Sequence, residues 1–591
     1  MQDSWIIDWS RDSRLPYYTR ANAGEVLPDP VSPLGWTLAF EEGLLPGWLR
    51  GFVEFGIYYP GELSAVKTPV VGVFGGYFYL NLSHMRLLGL RLGASVEEFD
   101  AALLGSHPDV PPYDPHPDDL NAECSAKVAE TIGAIMGATS YPNLDEDRRR
   151  TTQLRRDRPD LRAMTDTELV AHARSFAGEL DNGFATHDFS SLASTIGPSI
   201  LTGIATSVGL QDRVLDLISG LGDVDSASPS SGLWQLSREA NASPEVSALF
   251  DQGAAALAAA LEGATDGPVA AFATSFRAFL DEYGYRGPNE WDIHSLSWEA
   301  DPLQPLALVD TIRHSDDADS PLARHERLEA RRLAAAEAIR VALGEDADQV
   351  ALLDAALAST RLSVPARERT KATCVCVVNE VRLAVRELGR RGVEAGRFAR
   401  AEDVMMLLSA ELDDYVADPG RFTTVIEDRL VQYRALHDIE PPFIIAADPP
   451  PLSQWTRRER AKAQPAAPGD VLTGLGGSAG SYTGRVCVVT DLARPEALEP
   501  GDVLVAPFTD AAWTPLFLVA GAVVVDVGAM NSHAVVVCRE LGIPCVLSVT
   551  NGTERLRTGM TVTVDGNAGV VTVGSTHDAV PAPSGTSSAG R

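Results

Sequence analysis

The stretch Gly528 to Leu547 reads GAMNSHAVVVCRELGIPCVL, and it decides the fold of the C-terminal part of the chain. Asn531 or Ser532 can cap a helix that begins near His533, because both side chains accept hydrogen bonds from the first free backbone N–H groups. Gly542 follows the apolar run at the position where helices end in a left-handed glycine. The sequence therefore predicts a loop and a helix, with His533 in the first helical turn.

Short β-branched segments bounded by glycine, proline or aspartate surround this stretch. They are residues 484–491, 502–508, 522–527, 543–549 and 560–566, with a second helical segment at 513–520. Strands of this length that alternate with helices predict a compact β/α domain, which we place at residues 470–573. The Ser/Pro/Ala-rich residues 574–591 are expected to form a flexible tail.

The preceding part of the chain has a different pattern. Residues 1–440 become mostly helical in their apolar spacing from about residue 120, as in RHERLEARRLAAAEAIRVAL at Arg324 to Leu343. Residues 441–469 contain seven prolines and a basic cluster, which predict a stiff, extended connector. This connector is either a passive spacer or a hinge. The expected fold class is thus multidomain, with a mostly α-helical domain followed by a β/α domain.

A glycine-rich segment at the start of the β/α domain imitates a phosphate-binding loop. It reads GLGGSAG at Gly474 to Gly480, but it lacks the Gly-Lys-Ser/Thr ending and precedes a strand rather than a helix. We interpret it as a flexible entry into the domain.

Composition and charge exclude several classes of protein. The 591 residues are 45% hydrophobic and 22% charged, which excludes intrinsic disorder. The chain has 49 Lys and Arg against 81 Asp and Glu, a formal net charge of −32. This acidity argues against binding to nucleic acid or to anionic membranes. A phosphorylated ligand would need a few locally placed cations.

The sequence also predicts a compartment. It has neither the basic and apolar regions of a signal peptide nor an apolar run of the ~20 residues that span a bilayer. The six cysteines are scattered, and Cys374 and Cys376 have no partner pair at zinc spacing. We therefore expect a cytoplasmic protein without structural disulfides and without a metal site.

His533 is the first candidate for chemistry. The unpaired N–H groups and the positive dipole end of a first helical turn stabilise a dianionic phosphoryl group. A histidine in that position is suited to act as a nucleophile that carries phosphate on nitrogen. The alternative is an ordinary surface histidine.

Two further clusters are candidates upstream. Arg367 and Lys371 are four residues apart, so they share a helix face and can hold a phosphoryl group from two sides; the alternative is an ordinary exposed basic pair. The turn that begins Arg286-Gly287-Pro288 continues to three more polar side chains, and the four can line a pocket or form a structural salt-bridged turn. The four residues are Arg286, Glu290, Asp292 and His294.

The SHAVVVCRELGIP pattern at Ser532 to Pro544 resembles the phosphohistidine mobile domain of the phosphoenolpyruvate-utilising enzymes, and so does TDAAWTPLF at Thr509 to Phe517. That family includes phosphoenolpyruvate synthase, pyruvate phosphate dikinase and rifampin phosphotransferase. The resemblance implies a swivelling domain in which His533 is phosphorylated. It also implies a loop that supports the phosphohistidine, formed here by Gly528, Asn531, Ser532 and Thr509. Ala529 and Asn531 depart from the usual glycine or threonine of the loop.

Three upstream segments resemble the substrate-binding part of rifampin phosphotransferase-like proteins. They are NAGEVLPDPVSPLGW at Asn22 to Trp36, YRGPNEWDI at Tyr285 to Ile293 and the helix that starts RERTK at Arg367. The resemblance implies that the first domain binds substrate through Arg286, Glu290, Asp292 and His294, and that Arg367 and Lys371 act in catalysis. Glu290, Asp292 and His294 are all possible general bases, and the sequence does not choose among them.

The substrate-domain motif begins at Asn22, which leaves no room before it for the ATP-grasp domain of these enzymes. We therefore expect a separate ATP-grasp subunit that binds ATP and Mg²⁺ and phosphorylates His533, with release of AMP and phosphate. This layout resembles the two-component aryl phosphate synthases, such as phenylphosphate synthase and 4-methylbenzyl phosphate synthase. It implies transfer to a small phenol such as 4-cresol. Two alternatives stay open: a rifamycin-type antibiotic as acceptor, and a phosphocarrier with no small-molecule substrate.

Overall fold

A computed structural model describes residues 3–62, 70–104, 107, 109–317, 320–458, 464–490, 498–530, 532–549 and 551–574. Asn531 and, apart from Gly574, the expected tail at 574–591 lie outside these described residues.

The first part of the chain is mostly helical, as its apolar spacing predicts. Its α-helices are α1 (Ala23–Val26), α2 (Leu45–Phe55), α3 (Leu82–Arg91), α4 (Val96–Leu104), α5 (Ala122–Gly137), α6 (Pro142–Arg156), α7 (Asp166–Ser175), α8 (Ala177–Ser207), α9 (Val214–Leu217), α10 (Ser228–Ala242), α11 (Pro244–Phe250), α12 (Ala254–Gly263), α13 (Gly267–Tyr283), α14 (Leu303–Ile312), α15 (Pro321–Leu343), α16 (Ala347–Glu394), α17 (Leu412–Ala417) and α18 (Thr423–Leu436). A π-helix at Gly35–Leu44 precedes α2.

Helices α8 and α16 pack along each other and organise the helical domain. The buried face of α16 is apolar around Val375, Val378 and Val381, and these side chains join the main core with Phe184 of α8. Removing such side chains from water is the main stabilising contribution to this packing. The consequence is that α16, which carries Arg367 and Lys371, is fixed along most of its length.

A small antiparallel sheet lies beside these helices. Its strands are β1 (Tyr18–Thr19), β2 (Val71–Phe74), β3 (Tyr77–Asn81) and β4 (Ile444–Ile445), in the order β2-β3-β1-β4. Aromatic and β-branched residues fill β2 and β3, which are buried throughout. The sheet holds the segment that follows β1, and this segment contains Glu25.

The proline-rich segment differs from the expected extended connector. Its first part, residues 441–458, packs onto the helical domain: β4 pairs with β1, and Leu452 and Trp455 are buried. The apolar side chains between the prolines explain this, because their burial offsets the cost of ordering the segment. From Ala466, whose N–H donates to Arg555 at 2.9 Å, the chain belongs to the C-terminal domain.

The C-terminal domain is a β/α unit, in agreement with the strand and helix pattern. Its elements are β5 (Val471–Thr473), β6 (Leu475–Ser478), β7 (Ser481–Val488), β8 (Val503–Ala506), α19 (Thr514–Val519), β9 (Ala522–Val525), α20 (His533–Leu541), β10 (Cys545–Leu547), α21 (Gly552–Arg555), β11 (Thr561–Asp565) and β12 (Val570–Val573). The sheet order is β5-β12-β11-β7-β8-β9-β10-β6, and β7 to β10 are parallel. The buried strands β8 and β9 are continuous apolar runs, as is usual for parallel strands covered on both faces.

The glycine-rich segment is an ordered part of this sheet rather than a flexible entry. Strand β6 pairs antiparallel with β10. A side chain at Gly474 would clash with the Leu547 carbonyl, and one at Gly476 would clash with the Gly566 carbonyl. The glycines therefore serve close approach of two backbones, which the sequence pattern alone did not distinguish from flexibility.

Two expectations concern the whole chain. The six cysteines are all free and buried. Within the described ranges, no helix combines the length and the apolar character that crossing a bilayer requires.

Candidate functional site

The central residue of the site is His533, the first residue of α20. Ser532 has the extended N-cap conformation, with φ −69° and ψ 160°, but its side chain caps no backbone N–H. Gly542 closes the helix in the left-handed conformation, with φ 66°. The glycine signal therefore sets the C-terminal end of α20, whereas the predicted side-chain cap is absent from Ser532 at the other end. His533 stands at that end, where free N–H groups attract anions.

Two hydroxyl groups hold the imidazole ring. Thr514 Oγ1 lies 2.8 Å from His533 Nε2, and Thr509 Oγ1 lies 3.4 Å from Nδ1. Thr514 also donates to the carbonyl of Ser226 in the helical domain, at 3.3 Å. The ring is thus oriented by its own domain, and one of these two hydroxyls also contacts the other domain.

The helical domain places a cluster of charges against His533. Lys371 Nζ lies 3.1 Å from Glu290 Oε1, and Arg286 Nε lies 3.0 Å from Glu290 Oε2. Arg367 pairs with Glu368, and the Ser226 hydroxyl donates to the same carboxylate. These contacts bring together the Arg286 turn and the α16 helix, which the sequence separates by about eighty residues.

Arg286 differs from the other cations of the cluster. Its side chain is fully buried, yet beyond the neighbouring Tyr285 hydroxyl neither Nη1 nor Nη2 has a hydrogen-bond acceptor among the described residues. Burying guanidinium N–H groups without acceptors is costly, so such groups in a native structure are commonly reserved for a bound anion. Arg286 is therefore equipped to receive the oxygens of a phosphoryl group.

The surroundings of His533 set the protonation state of its ring. Burial lowers the pKa of His533 well below its ordinary value, and the positive charges of Lys371, Arg286 and Arg367 lower it further against the opposing effect of Glu368. The imidazole is therefore neutral at pH 7. A neutral imidazole has the nitrogen lone pair that nucleophilic attack on phosphorus requires.

Glu368, unlike His533, is charged at neutral pH. Burial alone would raise its pKa, but Arg367, Lys371, the Ser226 hydroxyl and His533 outweigh that effect and lower the pKa to about 2. The carboxylate is ionised across the physiological range. It fixes the Arg367 guanidinium rather than accepting protons.

A further contact joins the two domains beside His533. The Asn289 backbone N–H donates to Asp510 Oδ2 at 2.5 Å, and Asn289 has a left-handed φ of 48°. Burial raises the pKa of Asp510 to about 6. Asp510 lies between Thr509 and the helix that carries Thr514, so this contact positions both hydroxyls against the Arg286 turn.

The remaining predicted residues are distributed differently. Asp292 accepts hydrogen bonds from the Ser32 backbone N–H at 2.9 Å and the Ser32 hydroxyl at 2.6 Å, which makes it a tie to the start of the π-helix. His294 lines a separate cavity of about 300 Å³. Its other lining residues are Arg400, Glu402, Asp403, Leu430, Tyr433, Arg434 and His437. The structure does not bring Asp292 or His294 into the His533 cluster.

Sequence reasoning missed several residues of the site. They are Glu25, Ser226, Glu368, Asp510 and Thr514. Four of them stand in or beside quoted motifs, and Thr514 in particular follows Trp513 in TDAAWTPLF. A polar residue inside a motif is the signal that was available for these four; Ser226 had none.

The opposite end of α20 also contacts the helical domain. The Glu540 carboxylate accepts from the backbone N–H groups of Leu221 at 2.9 Å and Gly222 at 3.1 Å. Arg324 donates to the Leu518 carbonyl at 3.1 Å. These buried hydrogen bonds fix the orientation of the C-terminal domain on the helical domain.

The described residues offer no cluster of three or more histidine, cysteine or carboxylate side chains with metal-binding geometry.

Two family models match parts of the chain. Residues 187–368 match the rifampicin phosphotransferase fourth domain, and residues 498–569 match the mobile domain of the PEP-utilising enzymes. The first match contains Arg286 and Arg367, and the second contains His533. The chain thus carries two domains of the PEP-utilising, rifampicin phosphotransferase-like enzymes, one in each of its two parts.

Similar proteins cover much of this chain. The prodigiosin synthesizing transferase PigC of Serratia marcescens is 29% identical over 62% of the chain and 40% of its own length. The rifampicin phosphotransferases of Streptomyces sviceus and Bacillus subtilis are 30% and 28% identical, over 51% and 50% of the chain and 34% of their own lengths. The chain thus spans about two fifths or less of the length of these relatives.

Proposed function

We propose that this protein is the phosphohistidine component of a phosphotransferase. His533 receives a phosphoryl group and, in the packed arrangement described above, passes it to the hydroxyl group of a small acceptor. One observation carries the proposal: Arg286, Arg367 and Lys371 converge on His533 in a protein of net charge −32. Arg286 strengthens the proposal, because its Nη1 and Nη2 N–H groups are available to donate hydrogen bonds to an anion.

The cluster fits the charge distribution of phosphoryl transfer. In the transition state, negative charge spreads over three equatorial oxygens, and fixed cations stabilise it without reorganisation. Phosphorylation forms a bond between phosphorus and an imidazole nitrogen of His533 as a phosphoanhydride P–O bond of the donor breaks and its electron pair stays on the departing oxygen. Transfer then forms a bond from the acceptor oxygen to phosphorus while the P–N bond breaks and its electron pair returns to the ring. Net, the acceptor loses a proton and the imidazole regains one.

The donor in this proposal is ATP with Mg²⁺ on a separate ATP-grasp subunit. One phosphoryl group of ATP passes to His533, a second passes to water and leaves as phosphate, and AMP remains. The packed position of His533 supports a distant donor. Its ring faces the helical domain through Thr514 and Ser226, so a nucleotide-bearing partner meets it in another position of the C-terminal domain. Movement between two such positions is a common gating step in enzymes.

We propose a small phenol such as 4-cresol as the acceptor, on the resemblance to the aryl phosphate synthases. A rifamycin hydroxyl is the second candidate, because relatives from Streptomyces sviceus and Bacillus subtilis are rifampicin phosphotransferases by name. A phosphocarrier without a small-molecule acceptor is the third. The three differ in where the phosphoryl group goes.

The test loads the full-length chain chemically and follows the phosphoryl group. Potassium phosphoramidate phosphorylates histidine nitrogen with release of ammonia, and mass spectrometry locates the label. The loaded protein is then incubated with phenol, 4-cresol or rifampicin, and ³¹P NMR identifies the products. His533→Ala, treated identically, reports labelling and transfer from the other histidines.

We expect phosphorylated acceptor from the wild type and none above background from His533→Ala. Product from 4-cresol or phenol supports the aryl acceptor, and product from rifampicin supports the antibiotic. Loss of the label only to water, or equal transfer by His533→Ala, would overturn the proposed function.

A further inference from the structure

One carboxylate beside the His533 loop differs from its neighbours. Among the described residues Glu290 forms ion pairs with two cations and Glu368 with one, whereas Glu25 forms none. Asp292 is hydrogen-bonded to Ser32. Asp510 also forms no ion pair among the described residues, but its two oxygens accept the backbone N–H groups of Asn289 and Ala512. Glu25 is thus a second carboxylate near the reaction centre that no described ion pair engages, and it is buried.

The position of Glu25 places it against the phosphohistidine loop. A Cβ added at Gly528 would lie 3.0 Å from Glu25 Oε1, so the carboxylate touches the loop that leads to His533. The residue is buried, with 8% of its surface exposed. The absence of a side chain at Gly528 is what permits this approach.

A rigid support holds Glu25 there. Asn22 begins the turn with a positive φ of 60°, an angle that residues other than glycine rarely adopt. Arg20 then ties the turn together by donating to the Leu27 carbonyl at 3.1 Å and the Phe78 carbonyl at 2.6 Å. A strained residue held by buried hydrogen bonds is a feature of sites that need a fixed geometry.

The groups that face Glu25 set its protonation behaviour. Burial raises the pKa of Glu25 to about 8, against the lowering effects of the Ala529 N–H, Arg367, Lys371 and the Ser532 hydroxyl. The facing charges are therefore the two cations of α16, and the loop contributes the Ala529 N–H and the Ser532 hydroxyl. A carboxylate with such a pKa is better matched to an acceptor hydroxyl than an ordinary glutamate.

We propose that Glu25 is the general base for the acceptor hydroxyl. The proposal rests on the proposed function and adds the group that takes the proton. Glu25 Oε accepts the hydroxyl proton as the acceptor oxygen bonds to phosphorus and the P–N bond of phosphorylated His533 breaks. Glu25 then returns the proton to the imidazole nitrogen that has recovered its electron pair, directly or through water. No oxidant or further reactant is required.

The experiment compares Glu25→Gln, Glu25→Asp and Glu42→Gln in the full-length chain. Glu42 is exposed in the same N-terminal region, so its amide variant controls for the loss of one carboxylate. Each protein is loaded with phosphoramidate, and release of the phosphoryl group from His533 is followed in single turnover between pH 5.5 and 9.5. Phenol, 4-cresol, rifampicin and water alone are the acceptors.

We expect Glu25→Gln to load normally and to release the phosphoryl group roughly 10²–10⁴-fold more slowly than the wild type. The wild-type rate should rise with pH to a plateau with a midpoint at about 8 or above, because the base form increases and the phosphoryl charge raises the pKa of the carboxyl further. In Glu25→Gln the release rate should no longer rise with pH. Glu25→Asp should keep the rise at a lower overall rate, and Glu42→Gln should match the wild type.

Two results would overturn the assignment. One is a Glu25→Gln rate within threefold of the wild type. The other is a slower Glu25→Gln rate that still rises with pH as in the wild type, which would mean that Glu25 acts only through packing. Failure of the proposed function looks different: the wild type then forms no phosphorylated acceptor, while the effect of Glu25 on release to water is still measured.

Discussion

The two ends of α20 contact the same helical domain in opposite ways. At the first residue, His533 meets buried charges, and within the described part of the chain the Nη atoms of Arg286 have no acceptor beyond the Tyr285 hydroxyl. At the last turn, Glu540 accepts two backbone hydrogen bonds, and Arg324 donates to a carbonyl in the preceding helix, α19. One end is electrostatically incomplete, and the other is satisfied.

This difference separates chemistry from docking within one nine-residue helix. An incomplete cluster gains stability when an anion enters, so binding energy is used where the phosphoryl group is transferred. A satisfied contact gains nothing from substrate and serves to fix orientation. Variants at the first end should therefore slow phosphoryl transfer most. Variants at the other end should mainly loosen the contact between the domains, with a smaller effect on transfer.

The largest effect in this comparison is expected at the incomplete end. Lys371→Ala or Arg367→Ala should slow single-turnover transfer from phosphorylated His533 roughly 10²–10³-fold, because each removes a fixed cation from the developing charge. Loading of His533 should be unchanged. Release of the phosphoryl group to the acceptor is the measurement.

Lys127→Ala is the matched control, because Lys127 is half exposed and pairs with Glu130 on the surface. It should behave as the wild type. Equal loss of loading and transfer in Lys371→Ala, or no loss of either, would show that the pair is structural.

An intermediate effect is expected at the satisfied end. Glu540→Gln loses the charge that strengthens two hydrogen bonds, a loss of about 1–2 kcal/mol. We expect transfer to fall about tenfold while loading is unchanged, and amide exchange at Leu221 and Gly222 to become faster. Hydrogen-exchange mass spectrometry checks the second point, with Glu130→Gln as the control. Unchanged exchange at these two amides would mean that Glu540 does not hold the domains together.

The smallest effect is expected from the hydroxyls that orient the ring. Thr514→Val removes the 2.8 Å contact to Nε2 and should lower transfer by about three- to tenfold, the value of one neutral hydrogen bond. Thr509→Val, at 3.4 Å, should cost less than Thr514→Val. The reverse order would indicate that Nδ1, rather than Nε2, is the nitrogen whose orientation matters.

Sequence periodicity was sufficient for most of the fold. The alternating apolar segments predicted β7 to β11, and the capping and glycine signals predicted α20. The prediction from composition failed for residues 441–458. Seven prolines over 441–469 suggested an extended connector, but buried Leu452 and Trp455 hold this part on the helical domain. Proline fixes backbone angles but does not determine whether a segment is packed.

The site was predictable only in part. Spacing put Arg367 and Lys371 on one helix face, and the motif singled out His533. Motif membership did not separate Arg286 and Glu290, which the structure joins to Lys371, from Asp292 and His294, which it places elsewhere. Residues two apart in a turn point in different directions, and only packing decides which direction meets the reaction centre.

The sequence by itself determined where α20 begins and ends, that His533 is its first residue, and that the two α16 cations share a face. These follow from hydrogen bonds and side-chain spacing within a few residues of the chain. Only the tertiary structure decided that Glu25 meets the Gly528 loop, that Glu290 links Arg286 to Lys371, and that Glu540 rests on the Leu221 and Gly222 amides. Such contacts join segments far apart in the chain, and they are set by how the apolar faces of whole elements pack rather than by any local pattern.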